Sequence, residues 1–472
     1  MTHRYTLFGY NIVLDVESGA IHLMSDIAAQ MAGYLEFMLE KNNYASPPRE
    51  CPVDLRYSLA KYESSEVAEA YSELLGLCEN GLIFSKNDEK DETLSLDYSP
   101  ERVPVKALCL NVAHDCNMAC RYCFADGGSF GSGGEKRMMS EETGMRAIGF
   151  LMEHSKGRKN LEVDFFGGEP LLNFDTVKTI VEKTRVLEAQ YKKNVRFTLT
   201  TNGTLLDDQK IAFINQNISN IVLSLDGTKE TNDSARNYAG GGGTYEDIVP
   251  LYQKLVAERL NPQFRDYYIR GTFTKKNLNF AKDAVHMREL GFENISIEPV
   301  VAKEDCDYAI TRQDLPLIFR EYEILARELI RRGRAKENTF SFFHFNLDLE
   351  NGPCGTKRAK GCGSGSEYLA VVPNGDVYPC HQFAGNEAYR LGNVNAPGIS
   401  LDHSAMGRFY ENNILNNETC KSCWAKYFCG GGCPANNANF NGDIHSPYGI
   451  ACELEKKRVE CAIAVKAVLS GG

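Results

Sequence analysis

The stretch that decides the fold reads Cys116-Asn-Met-Ala-Cys120-Arg-Tyr-Cys123. It follows a segment with the residue pattern of a strand, residues 106–114. Three thiolates on one short loop can hold three corners of a cubic iron–sulfur cluster, which normally takes four cysteines. One iron is then open to a ligand that the protein does not supply. A zinc loop, or a coincidence among sixteen cysteines, is the competing interpretation.

Composition narrows the class of protein. The chain has 472 residues, which predicts two or three domains, and 43% apolar and 24% charged residues are typical of a globular protein. The net charge of -11 argues against a nucleic-acid partner, and no apolar run has the length of a membrane helix. The N-terminus lacks the pattern of a signal peptide. We therefore expect a cytoplasmic protein whose cysteines are reduced and bind metal.

Between residues 105 and 302, strand and helix patterns alternate, which predicts a parallel sheet covered by helices. The predicted strands are residues 106–112, 161–166, 195–200, 221–225, 267–273 and 294–299. The predicted helices are residues 140–154, 175–191, 207–215, 245–259 and 280–290. Six repeats predict an α/β fold built on a partial (β/α)6 barrel, with the chemistry at the C-terminal ends of the strands.

The regions on either side have other patterns. Residues 1–100 predict a domain with a β-hairpin (residues 5–15 and 20–24), helices near 26–40 and 64–80, and a polar linker at 85–99. Residues 311–350 predict a long helix and a bridging segment. Residues 351–472 are rich in cysteine and glycine with little periodicity, which predicts a domain held by its metal ligands more than by a core.

Two kinds of polar motif end the predicted strands. The second strand ends in Asp164-Phe-Phe-Gly167-Gly168-Glu169-Pro170, where glycines allow a ligand to approach the backbone and a carboxylate can pair with an ammonium group. The third and fourth strands end in Thr-Thr-Asn202-Gly and Ser224-Leu-Asp-Gly, so their side chains lie over the same barrel mouth. The alternative is ordinary turn chemistry.

The C-terminal cysteines form a second array. It reads Cys362-x12-Gly375-x4-Cys380, then Cys420-x2-Cys423-x5-Cys429-x3-Cys433, then Cys452. Pairs of cysteines two residues apart also suit tetrahedral zinc, so zinc is the alternative to iron–sulfur clusters here.

These motifs carry a family resemblance. The first triplet with its Tyr122 resembles the signature of the radical S-adenosylmethionine (SAM) superfamily, the Gly167–Pro170 turn resembles its GGEP motif, and the C-terminal array resembles the SPASM domain. Together with Leu110-Asn-Val-Ala-His and Tyr378-Pro-Cys-His-Gln382, they resemble the SCIFF (six cysteines in forty-five) maturases over nearly the whole chain.

The resemblance implies a set of site residues. Cys116, Cys120 and Cys123 would hold the cluster that cleaves SAM, Glu169 would pair with the SAM amino group, Asn202 and Ser224 would contact SAM or its ribose, and Arg236 would bind its carboxylate. The SAM-binding set as a whole is Tyr122, Gly167, Gly168, Glu169, Pro170, Asn202, Ser224 and Arg236. Two auxiliary clusters would be held by Cys420, Cys423, Cys429 and Cys452, and by Cys362, Cys380 and Cys433.

Three 4Fe–4S clusters have one corner more than these ten cysteines and SAM fill. We expect Cys354, eight residues before Cys362, to lie near the first auxiliary cluster, that of Cys362, Cys380 and Cys433, where it either closes that cluster or leaves the corner to a substrate thiolate.

The resemblance also implies a function. A 5′-deoxyadenosyl radical would lead to thioether crosslinks in a short cysteine-rich precursor peptide, whose leader a winged-helix-like N-terminal domain would bind along a strand edge. Flavodoxin or ferredoxin would donate electrons, and no nucleic acid or membrane would take part. One alternative is an anaerobic sulfatase-maturase-like enzyme that forms formylglycine. Another is a non-enzymatic iron–sulfur or zinc protein that senses redox state or scaffolds a partner.

Overall fold

A computed structural model describes residues 1–42, 46–85, 98–130, 136–259, 265–349 and 359–470. Its strands are β1 (Thr2–Leu7), β2 (Tyr10–Asp15), β3 (Ile21–Met24), β4 (Ala107–His114), β5 (Arg137–Met138), β6 (Asn160–Gly167), β7 (Asn194–Thr201), β8 (Asn220–Ser224), β9 (Asp266–Phe273), β10 (Asn294–Pro299), β11 (Ser341–Phe342), β12 (Tyr368–Val371), β13 (Asp376–Tyr378) and β14 (Gly392–Asn393). Within the described residues, β4 to β14 form one eleven-stranded sheet and β1 to β3 a second, smaller one.

Helices occur in the N-terminal region, between the strands of the large sheet and in the C-terminal region. They are α1 (Asp26–Asn42), α2 (Val53–Ser58), α3 (Ser64–Glu79), α4 (Glu141–His154), α5 (Phe174–Tyr191), α6 (Asp208–Asn217), α7 (Lys229–Ala235), α8 (Tyr245–Ala257), α9 (Phe280–Glu289), α10 (Leu315–Ala335), α11 (His403–Glu411), α12 (Glu418–Lys421), α13 (Lys426–Cys429), α14 (Pro434–Asn441) and α15 (Gly449–Ser470). Among the described residues, no helix combines the length and the apolarity needed to cross a membrane.

Six parallel neighbours form the centre of the large sheet. Strands β4, β6, β7, β8, β9 and β10 pair in chain order, each parallel to the next. One face of these strands is fully buried under the helices, as at Val163, Phe197 and Ile269. The opposite face, which we call the inner face, carries polar residues such as Asp164 and Arg270, because successive side chains of a strand alternate between the two faces. The α/β class with a parallel sheet is confirmed.

The C-terminal region continues the sheet. Strand β12 pairs parallel to β4, and β13 and β14 add antiparallel strands beyond it. Residues 449–470, for which we predicted little regular structure, form the 22-residue helix α15, so that expectation was wrong there. This helix packs against α10, where Arg458 donates to the Tyr322 hydroxyl at 2.9 Å, and it also contacts β1 through the Tyr5 hydroxyl. Because it is covered on more than one side, its apolar residues form no single stripe.

In its described residues, 1–42 and 46–85, the N-terminal region has three strands instead of the predicted two. Residues 5–15 contain a tight turn at Phe8 and Gly9, with φ angles of 56° and 84°, so β1 and β2 pair as a hairpin and β3 joins the other side of β2. We missed the turn because two-residue hairpin loops usually have asparagine, aspartate or glycine where this chain has Phe8. Most of the predicted linker, residues 86–97, lies outside the described residues.

Candidate active site

The first three cysteines lie on one loop directly after β4. Backbone hydrogen bonds hold this loop, from Cys123 to Cys120 at 3.1 Å and from Ala119 to Asn237 at 2.9 Å. Burial raises the pKa of the Cys116 thiol to about 12, and the nearby Cys120 and Cys123 add to the increase. The loop therefore brings three thiols together at the end of a strand, and this donor set fits three corners of an iron–sulfur cluster.

The Gly167–Gly168 turn packs directly on this loop. The Gly168 N–H donates to Ala113 at 2.8 Å, and the Glu169 N–H donates to Asp115, the residue before Cys116, at 2.9 Å. A Cβ atom on Gly168 would lie 2.1 Å from the Asp115 carbonyl oxygen, so only glycine allows this approach. Backbone hydrogen bonds thus join the Gly167–Gly168 turn to the residues that precede Cys116.

Glu169 connects the ends of β6 and β7. Its fully buried carboxylate accepts hydrogen bonds from the Thr201 hydroxyl at 2.7 Å, the Asn202 N–H at 2.7 Å and the Leu171 N–H at 2.9 Å. Burial raises its pKa to about 7, while these hydrogen bonds act in the opposite direction. The carboxylate thus holds two strand ends together, and its pairing with the SAM amino group stays a prediction. Pro170 follows it and begins a short 3₁₀ turn.

Asn202 lies against the cluster loop. Its side-chain Nδ2 atom is 3.7 Å from the Cys116 sulfur and donates to Asn117 at 3.0 Å, and its Oδ1 atom accepts from the Thr204 hydroxyl at 2.7 Å. Asn117 also donates to the Thr204 hydroxyl at 2.7 Å. Asn202, Asn117 and Thr204 thus form a hydrogen-bonded group beside the Cys116 sulfur. Asn117 and Thr204 had not been predicted, because each occupies an unspecified position beside a motif.

The half-buried Tyr122 forms a hydrogen-bonded triad with the buried residues Asp226 and Arg236. The Tyr122 hydroxyl donates to Asp226 at 2.7 Å and accepts from Arg236 at 2.8 Å, and Arg236 lies 3.9 Å from Asp226. Among the described residues, the buried Nε atom of Arg236 has no hydrogen-bond partner, so a donor remains for an anionic group. The assignment of that group to SAM stays a prediction. Ser224, at the end of β8, accepts a hydrogen bond from Tyr252 through its carbonyl oxygen.

The inner face of the barrel carries charged and aromatic side chains that the sequence did not reveal as site residues. The His381 ring lies 4.7 Å from that of Phe166. Glu298 accepts from the Ser296 hydroxyl at 3.1 Å, and Arg270 lies 3.6 Å from the same carboxylate. The strand alternation could have indicated Arg270, Ser296 and Glu298, because β9 and β10 place polar residues at alternate positions, whereas His381 lies in a turn of the C-terminal region.

Asp164 on this face gives a prediction about pH. Burial raises the pKa of Asp164 to about 6. Between its ordinary pKa near 4 and this value, the folded chain holds a proton that the unfolded chain has lost, so stability falls as the pH rises through this window. Asp164→Asn removes this effect. As the pH rises from 4 to 6, we expect the free energy of unfolding of the variant, relative to that of the wild type, to increase by about 2 kcal/mol.

Chemical denaturation of the metal-free chains at several pH values measures this difference. A stability difference that stays constant or shrinks as the pH rises would contradict the assignment of a raised pKa to Asp164.

The C-terminal cysteines lie in two groups of neighbours, and their role as ligands of two auxiliary clusters stays a prediction. Cys362, Cys380 and Cys433 are neighbours: burial raises the pKa of Cys380 to about 12, and the other two thiols add to the increase. Cys420, Cys423, Cys429 and Cys452 line one cavity of about 290 Å³. Both donor sets fit iron–sulfur clusters. Cys354 lies outside the described residues, so its expected place beside the first group stays a prediction.

Comparisons with known proteins match the two regions that carry the cysteine motifs. Residues 110–269 match the model of the Radical SAM superfamily, and residues 362–424 match SPASM, an iron–sulfur cluster-binding domain. A cysteine-type anaerobic sulfatase-maturating enzyme of Clostridium perfringens strain 13 is 26% identical over 351 residues, which cover 70% of this chain and 89% of that protein. The radical SAM cyclopropyl synthase TigE of Paramaledivibacter caminithermalis is 21% identical over 433 residues, covering 85% of this chain and 84% of its own.

Two solved structures share the fold. Native anSMEcpe with bound AdoMet covers 78% of this chain and 100% of its own, with a TM-score of 0.64 at 21% identity. Streptococcus suis SuiB bound to S-adenosylmethionine covers 93% of this chain and 96% of its own, with a TM-score of 0.51 at 14% identity. The family matches favour an enzyme over a non-enzymatic iron–sulfur or zinc protein. The chain thus carries a Radical SAM domain at residues 110–269 and a SPASM domain at residues 362–424, and these two domains support SAM and iron–sulfur clusters as cofactors.

Proposed function

We propose that this enzyme forms thioether crosslinks, from cysteine sulfur to an α-carbon, in a ribosomally made cysteine-rich precursor peptide, as the SCIFF maturases do. The observation that carries the proposal is the N-terminal domain. It has its own core, which includes Val13, Met31 and Leu74, and it packs on α15 and on the C-terminal cysteine region. The SuiB fold spans 93% of the chain, but the anSMEcpe fold spans only 78%.

The small sheet offers a place for a leader peptide. Within the described residues β2 is central, so β1 and β3 are edge strands, and an edge strand can pair with an extended peptide. Both edge strands contact α15: Tyr5 of β1 donates to the Glu460 carbonyl, and β3 packs against the same helix. Strand β3 carries the exposed Leu23 and is the edge that we assign to the leader.

The proposed chemistry balances as an oxidation of the peptide. When bound, the cofactors supply a 5′-deoxyadenosyl radical and accept one electron. One hydrogen atom leaves an α-carbon, one proton leaves a cysteine thiol, and a carbon–sulfur bond forms, so each crosslink removes two hydrogen atoms. The inner face, with Arg270, Glu298 and His381, would surround the peptide carbon at the mouth of the barrel.

The remaining assignments belong to the same proposal. Three 4Fe–4S clusters are held by the first triplet and the two C-terminal groups, with Cys354 as the candidate for the last corner. The chain divides into a winged-helix-like recognition domain (1–100), a radical SAM partial barrel (101–310), a bridging helix (311–350) and a SPASM domain (351–472). Flavodoxin or ferredoxin is the proposed electron donor, and the cytoplasm the proposed location.

Co-expression with a short cysteine-rich reading frame beside the gene tests the reaction. We expect the peptide to lose two hydrogen atoms per crosslink, to keep that mass after thiol reduction, and to have fewer thiols that iodoacetamide can alkylate. A peptide of unchanged mass, in the presence of active enzyme, would contradict the proposal.

Formation of formylglycine is the second candidate. The 26% identity to the Clostridium perfringens sulfatase-maturating enzyme and the TM-score of 0.64 to anSMEcpe favour it. It predicts that the modified peptide carries an aldehyde that reacts with a hydrazide probe, whereas a thioether does not react.

A further inference from the structure

A buried ion pair links the N-terminal domain to the last cysteine group. Glu17, in the turn after β2, lies 2.9 Å from the ammonium of Lys426, and the Tyr427 hydroxyl donates to its other oxygen at 3.0 Å. The two charged side chains are only 10% and 7% exposed. Lys426 and Tyr427 lie between Cys423 and Cys429, so Glu17 binds the loop that carries these cysteines.

The same loop has a second contact with the N-terminal domain. The His3 ring stacks on Trp424, with ring centres 3.6 Å apart and planes 3° from parallel. His3 also lies 3.0 Å from Glu460 of α15. These contacts hold the loop from two positions, so the N-terminal domain is an integral part of its surroundings.

Lys426 and Trp424 also line the cavity of Cys420, Cys423, Cys429 and Cys452, together with the charged residues Glu455 and Lys456. A cluster in this cavity gains one negative charge on reduction. A positive charge in a poorly solvated wall stabilises the reduced form, and a carboxylate that pairs with it cancels most of this effect. An exposed pair on the same segment, Lys421 and Glu418, is 48% and 87% exposed, so solvent and salt screen it.

We propose that the charge balance of the Glu17–Lys426 pair tunes the reduction potential of the second auxiliary cluster, that of Cys420, Cys423, Cys429 and Cys452, so that the N-terminal domain contributes to this potential beside Glu455 and Lys456. This inference rests on the proposed ligand set of that cluster. Glu17 acts through Lys426 and is a positioning residue. It holds the ammonium in the wall of the cavity and neutralises it.

Redox titrations of the reconstituted full-length enzyme, followed by electron paramagnetic resonance, test the inference through the sign of each shift. Glu17→Gln leaves the ammonium uncompensated, so we expect the potential of the second auxiliary cluster to rise. Lys426→Met leaves the carboxylate uncompensated, so we expect the potential to fall. The double variant should return towards the wild type. Lys421→Met, on the exposed pair, is the matched control and should shift the potential least.

The failure of the proposed ligand set and the failure of the tuning role give different results. If Cys423→Ala leaves the signal of the second auxiliary cluster unchanged, the proposed ligand set is wrong. If that signal is lost in Cys423→Ala, but Lys426→Met and the double variant have the wild-type potential, the tuning role is wrong. The Lys426 variants decide this question even if Glu17→Gln, which buries an unpaired ammonium, does not fold. Iron content and thermal unfolding of each variant identify a chain that has lost its structure.

Discussion

Gly168→Ala is expected to abolish the cleavage of SAM. The added Cβ atom would lie 2.1 Å from the Asp115 carbonyl oxygen and 3.0 Å from the Gly128 Cα atom. Both neighbours are backbone atoms, so no side chain can rotate away and the loop that begins at Cys116 must move. A displacement of about 1 Å in an active site can cost about 100-fold in rate. We expect at least this loss in the rate of 5′-deoxyadenosine formation, measured by chromatography.

Gly149→Ala is the matched control for this prediction. Gly149 lies within α4, and a Cβ atom there would meet nothing within 4 Å. Alanine in a helix interior stabilises the fold by about 0.5–1 kcal/mol relative to glycine, so this variant should keep its activity and unfold at a slightly higher temperature. If Gly168→Ala were as active as Gly149→Ala, the close packing of the glycine turn on the cluster loop would not matter for catalysis.

Cys120→Ala is expected to eliminate 5′-deoxyadenosine formation completely. The thiol lies on the same loop as Cys116 and Cys123, beside Arg236, and its loss would leave the predicted cluster with two of its three proposed protein ligands. The C-terminal cysteine groups are unaffected, so iron content should fall by one cluster and the auxiliary signals should persist. Iron analysis and electron paramagnetic resonance with and without SAM measure both effects.

Cys78→Ala provides the comparison for a cysteine outside the three groups. Cys78 is half-buried and packs on the core of the N-terminal domain. Its replacement should lower stability slightly and leave iron content and SAM cleavage unchanged. Persistent 5′-deoxyadenosine formation in Cys120→Ala, at the level of Cys78→Ala, would exclude the first triplet as the site of SAM cleavage.

The sequence predicted the barrel well because its signals are local. Strand β10 was predicted at residues 294–299, its observed range, since alternating β-branched residues precede a proline. Likewise, the cysteine triplet needs no tertiary information, because eight consecutive residues carry the whole pattern. The strand-end motifs could be placed at one mouth because parallel strands present their C-terminal ends at the same edge.

Other features depend on contacts between distant residues. Tyr122 and Asp226 are 104 positions apart, and Glu17 and Lys426 are 409 apart, so no spacing rule connects them. Glu169 was predicted from its motif, but its hydrogen bonds to Thr201 and Asn202 become visible only when β6 and β7 are paired. The long helix α15 was missed because burial on several sides removes the amphipathic pattern that identifies a helix.

The most direct test of the central claim is an anaerobic incubation of the iron-loaded enzyme with SAM and dithionite. We expect 5′-deoxyadenosine and methionine to form in equal amounts, because we propose that the cluster on the first triplet has an iron open to SAM. The absence of 5′-deoxyadenosine from enzyme whose cluster spectra are intact would contradict the assignment of this chain as a radical SAM enzyme.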